Sequence, residues 1–322
     1  MYNNEPSSFC TLGSYPVHKE MIGLLISISI HHPGVKIYCI SDLKTKKFIE
    51  NFLYKVDIKI YWKTLLDKYS HQKYIRVKKS NFQKEFLSYK TNAINFALAN
   101  EKDTMFLDTD IVVLNKIKGV NFKKKLGLSP HFINAVTAKT YGFFNTGCVW
   151  TKDKNFTKIW KKEIKNSNYV DQECMDKISK IYKSNIFYFP DNYNFTWFRS
   201  LHAKKNIDIK NKIISKKNNI LFDGNDIKFV HSHFPQTSNM HWYKKFNQLI
   251  IKKLYASSMI YELICIYVMM SKSWFITIGK SNNLDLKNIL LKKNFLTLNF
   301  FFRKYLIFIL FRSLITLTRK LN

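Results

Sequence analysis

Between residues 8 and 114, short β-branched apolar runs alternate with longer stretches whose apolar residues recur at helical spacing. SFCTLGS (8–14) reads as a strand, and VHKEMIGLLISISI (17–30) as a helix that HHPG (31–34) stops. VKIYCIS (35–41), KTKKFIENFL (44–53) and VDIKIYW (56–62) repeat the pattern as strand, helix and strand. FQKEFLSYKTNAINFALA (82–99) is a long helix, and TMFLDTDIVVL (104–114) follows it as the next strand. Alternation of this kind predicts βαβ units and an α/β fold, with a mostly parallel central sheet flanked by helices. Ligands of such sheets bind outside the carboxyl ends of the strands. Thr11–Ser14, Ser41–Asp42 and Asp108–Asp110 are therefore expected on one rim.

TMFLDTDIVVL carries two acids between apolar flanks, and a carboxylate taken out of water is costly unless it is paired, hydrogen-bonded or bound to metal. Along a strand, residues i and i+2 face the same side. Asp108 and Asp110 are thus predicted to meet one hard cation, Mg²⁺ or Mn²⁺, which accepts carboxylates and leaves positions for substrate phosphates. Asp-x-Asp alone is a short motif, and paired acids with Mg²⁺ also serve metal-dependent nucleotidyltransferases.

The chain has 53 Lys+Arg against 22 Asp+Glu, a formal net charge of +31, which favours anionic partners. A basic nucleic-acid- or membrane-binding protein is one reading of that charge. The lysines are dispersed, however, and no groove-reading or RNA-stacking motif accompanies them, so no nucleic-acid partner is expected. Five scattered cysteines (Cys10, Cys39, Cys148, Cys174 and Cys265) form no CxxC and predict free buried thiols. MYNNEPSSFC lacks the basic and apolar regions of a signal peptide, so a cytoplasmic location is expected.

The second half is less regular. FFNTGCVW (143–150), IFYFP (186–190) and IKFVHSHF (227–234) read as strands. FTKIWKKEIK (156–165) and DQECMDKISKIY (171–182) read as helices, and NKIISKKNNILFDGND (211–226) as a loop with one short apolar run. After residue 247 the pattern changes. LYASSMIYELICIYVMMS (254–271) is nearly all apolar apart from Glu262, and residues 294–320 interleave large apolar side chains with Arg303, Lys304 and Arg312. The expected organisation is a catalytic domain over 1–247 and a basic, apolar, helical region over 248–322. Its composition suits a helix lying in the interface of an anionic membrane, on the inner face, and a packed helical appendage is the competing reading.

An ordered series of motifs resembles the nucleotide-sugar-dependent glycosyltransferases of the GT-A fold, and within them family 8, the glycogenin and lipopolysaccharide-transferase type. TMFLDTDIVVL resembles their DxD strand, and YKTNAINFALAN (89–100) the preceding helix, with Lys90 at the position that faces the donor phosphates. FNTGCVW resembles the strand bordering the sugar pocket (Asn145, Thr146, Gly147), and YVDQECM (169–175) the helix start near the transferred sugar (Asp171, Gln172). FPDNYNF (189–195) and IKFVHSHF resemble the segments that follow, the second ending in a metal-binding His. The resemblance covers roughly residues 8 to 245.

It implies a Rossmann-like sheet and a donor that is a nucleoside-diphosphate sugar, such as a UDP-sugar. The acceptor would be a glycan or a lipid-linked glycan of the surface-polysaccharide kind, with retention at the anomeric carbon. The metal would be held by Asp108, Asp110 and His231, with His233 as the alternative. Lys90, Asp108 and Thr109 would face the phosphates, and Thr11 and Tyr15 the base. Asn145, Asp171 and Gln172 would orient the sugar. Each residue also has a plainer reading. Asn145 supports a turn beside Gly147, Asp171 caps the helix it opens, a strand-end His is a satisfied core residue, and Tyr15 is an ordinary surface tyrosine.

Overall fold

A computed structural model describes residues 4–53, 58–71, 82–133, 135–167, 171–196, 209–234 and 241–270. The opening β1 (Ser8–Gly13), α1 (His18–His31), β2 (Lys36–Ser41), α2 (Leu43–Phe52) and β3 (Lys59–Thr64) follow the sequence pattern closely. They are joined by α3 (Phe82–Leu98) and β4 (Thr104–Leu107). One sheet has the order β3-β2-β1-β4-β7-β6-β8, where β6 is Leu126–Pro130, β7 is Phe144–Thr151 and β8 is Ile186–Tyr188. Only β7 runs against its neighbours; every other pairing in this sheet is parallel. The expected mostly parallel central sheet flanked by helices is present.

Its central strands are apolar on both faces because both faces are covered, while the edge strands β3 and β8 are partly exposed. All six residues of β1 and all eight of β7 are buried. On one side α3 and α4 (Lys154–Asn166) bring Ala93, Ile94, Ala97, Phe156, Trp160 and Ile164 onto Leu12, Ile40, Phe106 and Val149. Helix α4 starts where Asp153 Oδ1 accepts the amide of Asn155 at 2.9 Å, a capping bond worth about 1 kcal/mol. The other long helix, α1, is buried from Glu20 through Ile28, consistent with a sequence apolar on nearly every side. All five cysteines are free and buried.

The expected continuous strand 104–114 is broken. Thr104–Leu107 ends as β4, and Ile111–Val113 forms β5 in a separate three-stranded sheet, β5-β13-β9. There β13 is Phe229–His231 and β9 is Phe195–Thr196. The break has a local cause. The amide of Asp108 donates to Gly147 O at 2.9 Å, and the amide of Ile111 turns back to Asp108 O at 3.2 Å. The two acids thus stand on a turn between sheets, and the same-face rule for strands does not apply to them.

Residues 211–226, expected to be a loop, form an antiparallel meander of β10 (Ile213–Lys216), β11 (Asn219–Phe222) and β12 (Asn225–Asp226). Asn218 (φ 59°), Asp223 (φ 51°) and Gly224 (φ 83°) make its turns, as such tight hairpins demand. Ile213, Ile220 and Phe222 are buried while Ile214 is exposed, so the alternation is real but sparse.

The helix His241–Ala256 runs through residue 247, and the described residues between 58 and 270 fall in one compact unit with 4–52. The helix Ile260–Met270 packs on α1. At the crossing, a Cβ on Gly23 would stand 2.7 Å from Met269 Cε and 2.9 Å from the backbone carbonyl of Cys265. Glu262, the one acid in this apolar stretch, is buried against His31, with Oε1 2.8 Å from Nε2. Residues 271–322, which include the apolar and basic stretch expected at a membrane, lie outside the described residues. Among the described residues no helix is long and apolar enough to cross a membrane.

Candidate active site

The C-terminal ends of β1, β2 and β4 form the rim on which the sequence places its candidate residues. Asp42, just after β2, accepts the amide of Thr45 on Oδ1 at 2.9 Å and the amide of Tyr15 on Oδ2 at 2.7 Å. It caps the following helix and draws the segment after β1 towards it. The Tyr15 ring is stacked on His18 with centroids 4.4 Å apart, and Lys44 Nζ lies 3.7 Å from its centroid. Thr11 lies within β1, fully buried, with its hydroxyl unpaired among the described residues. Its side chain belongs to the interior.

Asp108, Asp110 and His231 each offer a ligand atom, and these atoms lie within 4.8 Å of one another. Three elements deliver them: the end of β4, the start of β5 and the end of β13. The β5–β13 pairing sets His231 directly opposite Ile111, next to Asp110. Lys90 reaches the group from α3, with Nζ 3.0 Å from Asp108 Oδ1 and 3.4 Å from Thr146 Oγ1. Thr109 is largely buried, its methyl 3.1 Å from where a Cβ on Gly13 would lie.

Asp110 is buried between two histidines. Its Oδ1 is 3.2 Å from His231 Nε2, and its Oδ2 is 2.8 Å from His233 Nδ1. Burial works against its ionisation, but the two histidines outweigh it and hold the carboxyl well below the usual range. For His233, burial disfavours the charge, yet Asp110, with Glu20 and Asp108 behind it, pushes its pKa up to about 9. Glu20 projects from α1 into the same field. Burial and the Asp110 charge raise its pKa to about 8, against a smaller opposing effect from His233. Sequence reasoning passed over Glu20, since one acid in a helix gives no signal of its own.

Gly147 forms the floor. A Cβ there would stand 2.3 Å from His231 Cε1, 2.8 Å from Asp108 Oδ2 and 2.9 Å from Asn145 Oδ1, so only glycine lets the backbone pass beneath the acids. Asn145 is buried, and its Oδ1 accepts the amide of Gly147 at 2.9 Å within β7, in a strand rather than at the turn of its plainer reading. Its side chain also meets His131 and Asn194, neither of which the sequence singled out. The helix Asp171–Tyr182 begins against Gly142, which precedes β7, with the Gln172 carbonyl 3.0 Å from where a Cβ on Gly142 would lie. The Asp171 side chain lies outside the described residues.

The donor set fits a divalent cation. Two carboxylates and an imidazole nitrogen suit Mn²⁺, and Mg²⁺ through the carboxylates. Lys90 and His233 supply counter-charge to the two acids.

No protein-family model matches this chain, and no curated protein matches its sequence. Solved structures do match. An active-site mutant of LgtC aligns with a TM-score of 0.50 and 11% identity, over 76% of this chain and 95% of that chain. The apo form of the glycosyltransferase GlyE from Streptococcus pneumoniae TIGR4 aligns with a TM-score of 0.50 and 14% identity, over 85% of this chain and 64% of that chain. At these identities the likeness is one of fold: the chain has the GT-A fold of glycosyltransferases.

Proposed function

We propose that this protein is a metal-dependent glycosyltransferase that moves a sugar from a nucleoside-diphosphate donor, a UDP-sugar, to a glycan or lipid-linked acceptor. The observation that carries the reading is the convergence of Asp108, Asp110 and His231 on the rim of a GT-A sheet, with Lys90 beside them. The named activity of GlyE, which shares the fold, points the same way. The reading extends to retention of configuration, which the motif series implies.

When bound, a divalent cation would offset the negative charge that grows on the departing diphosphate. Asp108, Asp110 and His231 would hold it, and Lys90, which lies 3.0 Å from Asp108, would direct an ammonium at the same phosphates. Tyr15 and the backbone at the end of β1 border the base. Asp171 and Gln172 orient the sugar hydroxyls and the oxocarbenium-like centre. The apolar and basic composition of residues 294–320 supports a lipid-linked acceptor at an anionic membrane surface on its cytoplasmic side.

The test is calorimetric titration of UDP, GDP and UTP with and without Mn²⁺, on the wild type and on Asp110→Asn. Binding of UDP that needs both the metal and Asp110 supports the reading, and UDP release from UDP-sugars identifies the donor. Metal-independent binding of every polyphosphate, equal in the variant, defeats it. Release of pyrophosphate from UTP in place of UDP from a sugar donor would make the chain a nucleotidyltransferase.

A further inference from the structure

Four side chains link the floor of the site to the cation group in one continuous series of hydrogen bonds. His131 Nδ1 lies 3.0 Å from Gly142 O, and His131 Nε2 lies 3.2 Å from Asn145 Nδ2. Asn145 Oδ1 lies 3.0 Å from Asn194 Nδ2, and Asn194 Oδ1 lies 3.1 Å from His231 Nδ1. Asn145, Asn194 and His131 are buried, so each polar atom in the series depends on its neighbour rather than on bulk water.

The backbone fixes the direction of every bond in this series. A carbonyl only accepts, so His131 must carry its proton on Nδ1, and its Nε2 then accepts from Asn145. A backbone amide only donates, so the Gly147 N–H, 2.9 Å away, requires that the oxygen of Asn145 face it. Because that oxygen also faces Asn194, Asn194 must present its NH₂ there and its own oxygen to His231. His231 must then donate from Nδ1. Both ends of the argument agree, one anchored at Gly142 and one at Gly147, although neither anchor refers to the other.

We infer that His131, Asn145 and Asn194 are positioning residues that hold the proton of His231 on Nδ1, so that its Nε2 presents a lone pair to a divalent cation shared with Asp108 and Asp110. Metal-bound histidines are commonly oriented by such a partner on the other ring nitrogen, and here the partner is itself fixed through two further side chains. The force opposing this arrangement is Asp110, whose Oδ1 lies 3.2 Å from His231 Nε2 and would by itself draw the proton to that nitrogen. Asn194 resists the switch, because moving the proton leaves its buried oxygen facing a second lone pair. Asn145 thereby acts on the cation through His231. The cation belongs to the function proposed above; the proton position does not depend on it.

Long-range ¹H–¹⁵N correlation of the metal-free protein reads the tautomer directly, at a pH where the imidazole is neutral and with the His231→Gln variant to identify the resonances. The expected wild-type result is the Nδ1–H tautomer. In Asn194→Leu the proton should move to Nε2, and Mn²⁺ affinity measured by calorimetry should fall ten- to a hundredfold. In Asn194→Asp, which still accepts from Nδ1, the Nδ1–H tautomer should return. A wild-type Nε2–H tautomer overturns the inference, and so does an unchanged tautomer in Asn194→Leu. If Asn194→Leu does not fold, the wild-type tautomer and the Asn194→Asp result still decide it. Nδ1–H in a wild type that binds no Mn²⁺ upholds the proton position and overturns the metal-dependent function instead.

Discussion

His231 lies directly over Gly147: a Cβ at that glycine would fall 2.3 Å from the imidazole Cε1 and 2.8 Å from a carboxylate oxygen of Asp108. Neither atom is the far end of a flexible chain. His231 is tied through Asn194, and Asp108 is held at its own amide by the carbonyl of Gly147. Gly147→Ala should therefore spread the ligand group while leaving the sheet intact, because β7 keeps its pairing on both sides. The expected outcome is an unchanged circular dichroism spectrum with Mn²⁺ affinity at least tenfold weaker, a loss of about 1.4 kcal/mol. Equal Mn²⁺ binding in the two proteins would show that the cation lies elsewhere.

Lys90 is almost wholly buried and directed at Asp108, so its charge is placed without the entropy a surface lysine loses on binding. Lys90→Met keeps most of the stem and removes the charge. UDP affinity in the presence of Mn²⁺ should drop by about one to two orders of magnitude, corresponding to about 1.4–2.8 kcal/mol. Titration of UDP at saturating Mn²⁺ checks this, and a change confined to metal affinity would place Lys90 outside the phosphate contact.

Glu20 sets a pH dependence. Its carboxyl is raised from about 4.5 to about 8 in the folded protein, so between those values the unfolded chain releases a proton that the folded one keeps. Folded-state stability therefore declines as pH rises from about 4.5 to about 8 and levels off above that. Glu20→Gln mimics the protonated form and removes this component of the slope. Thermal melts at pH 5 and pH 8 should show the variant gaining on the wild type at the higher pH, by a free energy on the order of a few kcal/mol. A constant difference between the two proteins across that range would mean Glu20 is ionised in the fold.

Gly23 marks where the last described helix meets α1. Gly23→Ala would press a methyl against Met269 and against the backbone carbonyl of Cys265, and the second cannot swing away. Overpacking of this kind costs about 1–3 kcal/mol. The expected result in urea is a lower midpoint with an unchanged slope, and a midpoint equal to that of the wild type would sink the helix crossing described here.

The alternating first half was legible in the sequence because buried strands and helices write their periods locally. Helix α1, read at 17–30, spans His18–His31, and the long helix read at 82–99 spans Phe82–Leu98. The break inside TMFLDTDIVVL was not legible. Its flanks are both apolar and β-branched, and nothing local says that Ile111–Val113 pairs with a strand more than a hundred residues later. The meander at 213–226 was hidden by lysines and asparagines on its open face, although its Asp-Gly turn was visible. Glu262 read as an oddity in an apolar run because its partner, His31, lies 231 positions away. The candidate ligands came from residue type and order, whereas His131 and Asn194 act only through contacts that folding creates.

The turn at Asp108–Asp110 is also a joint between two sheets. Asp108 follows the last strand residue of the large sheet on its side, Asp110 immediately precedes the first strand residue of the small one, and His231 belongs to the small one. An ion gripped by all three residues would rivet the two layers together, so loading the site is a mechanical event as well as a chemical one. Amide exchange along Ile111–Val113 and Phe229–His231 should slow in concert when the rivet is set, and the pocket walls would stiffen before any sugar arrives.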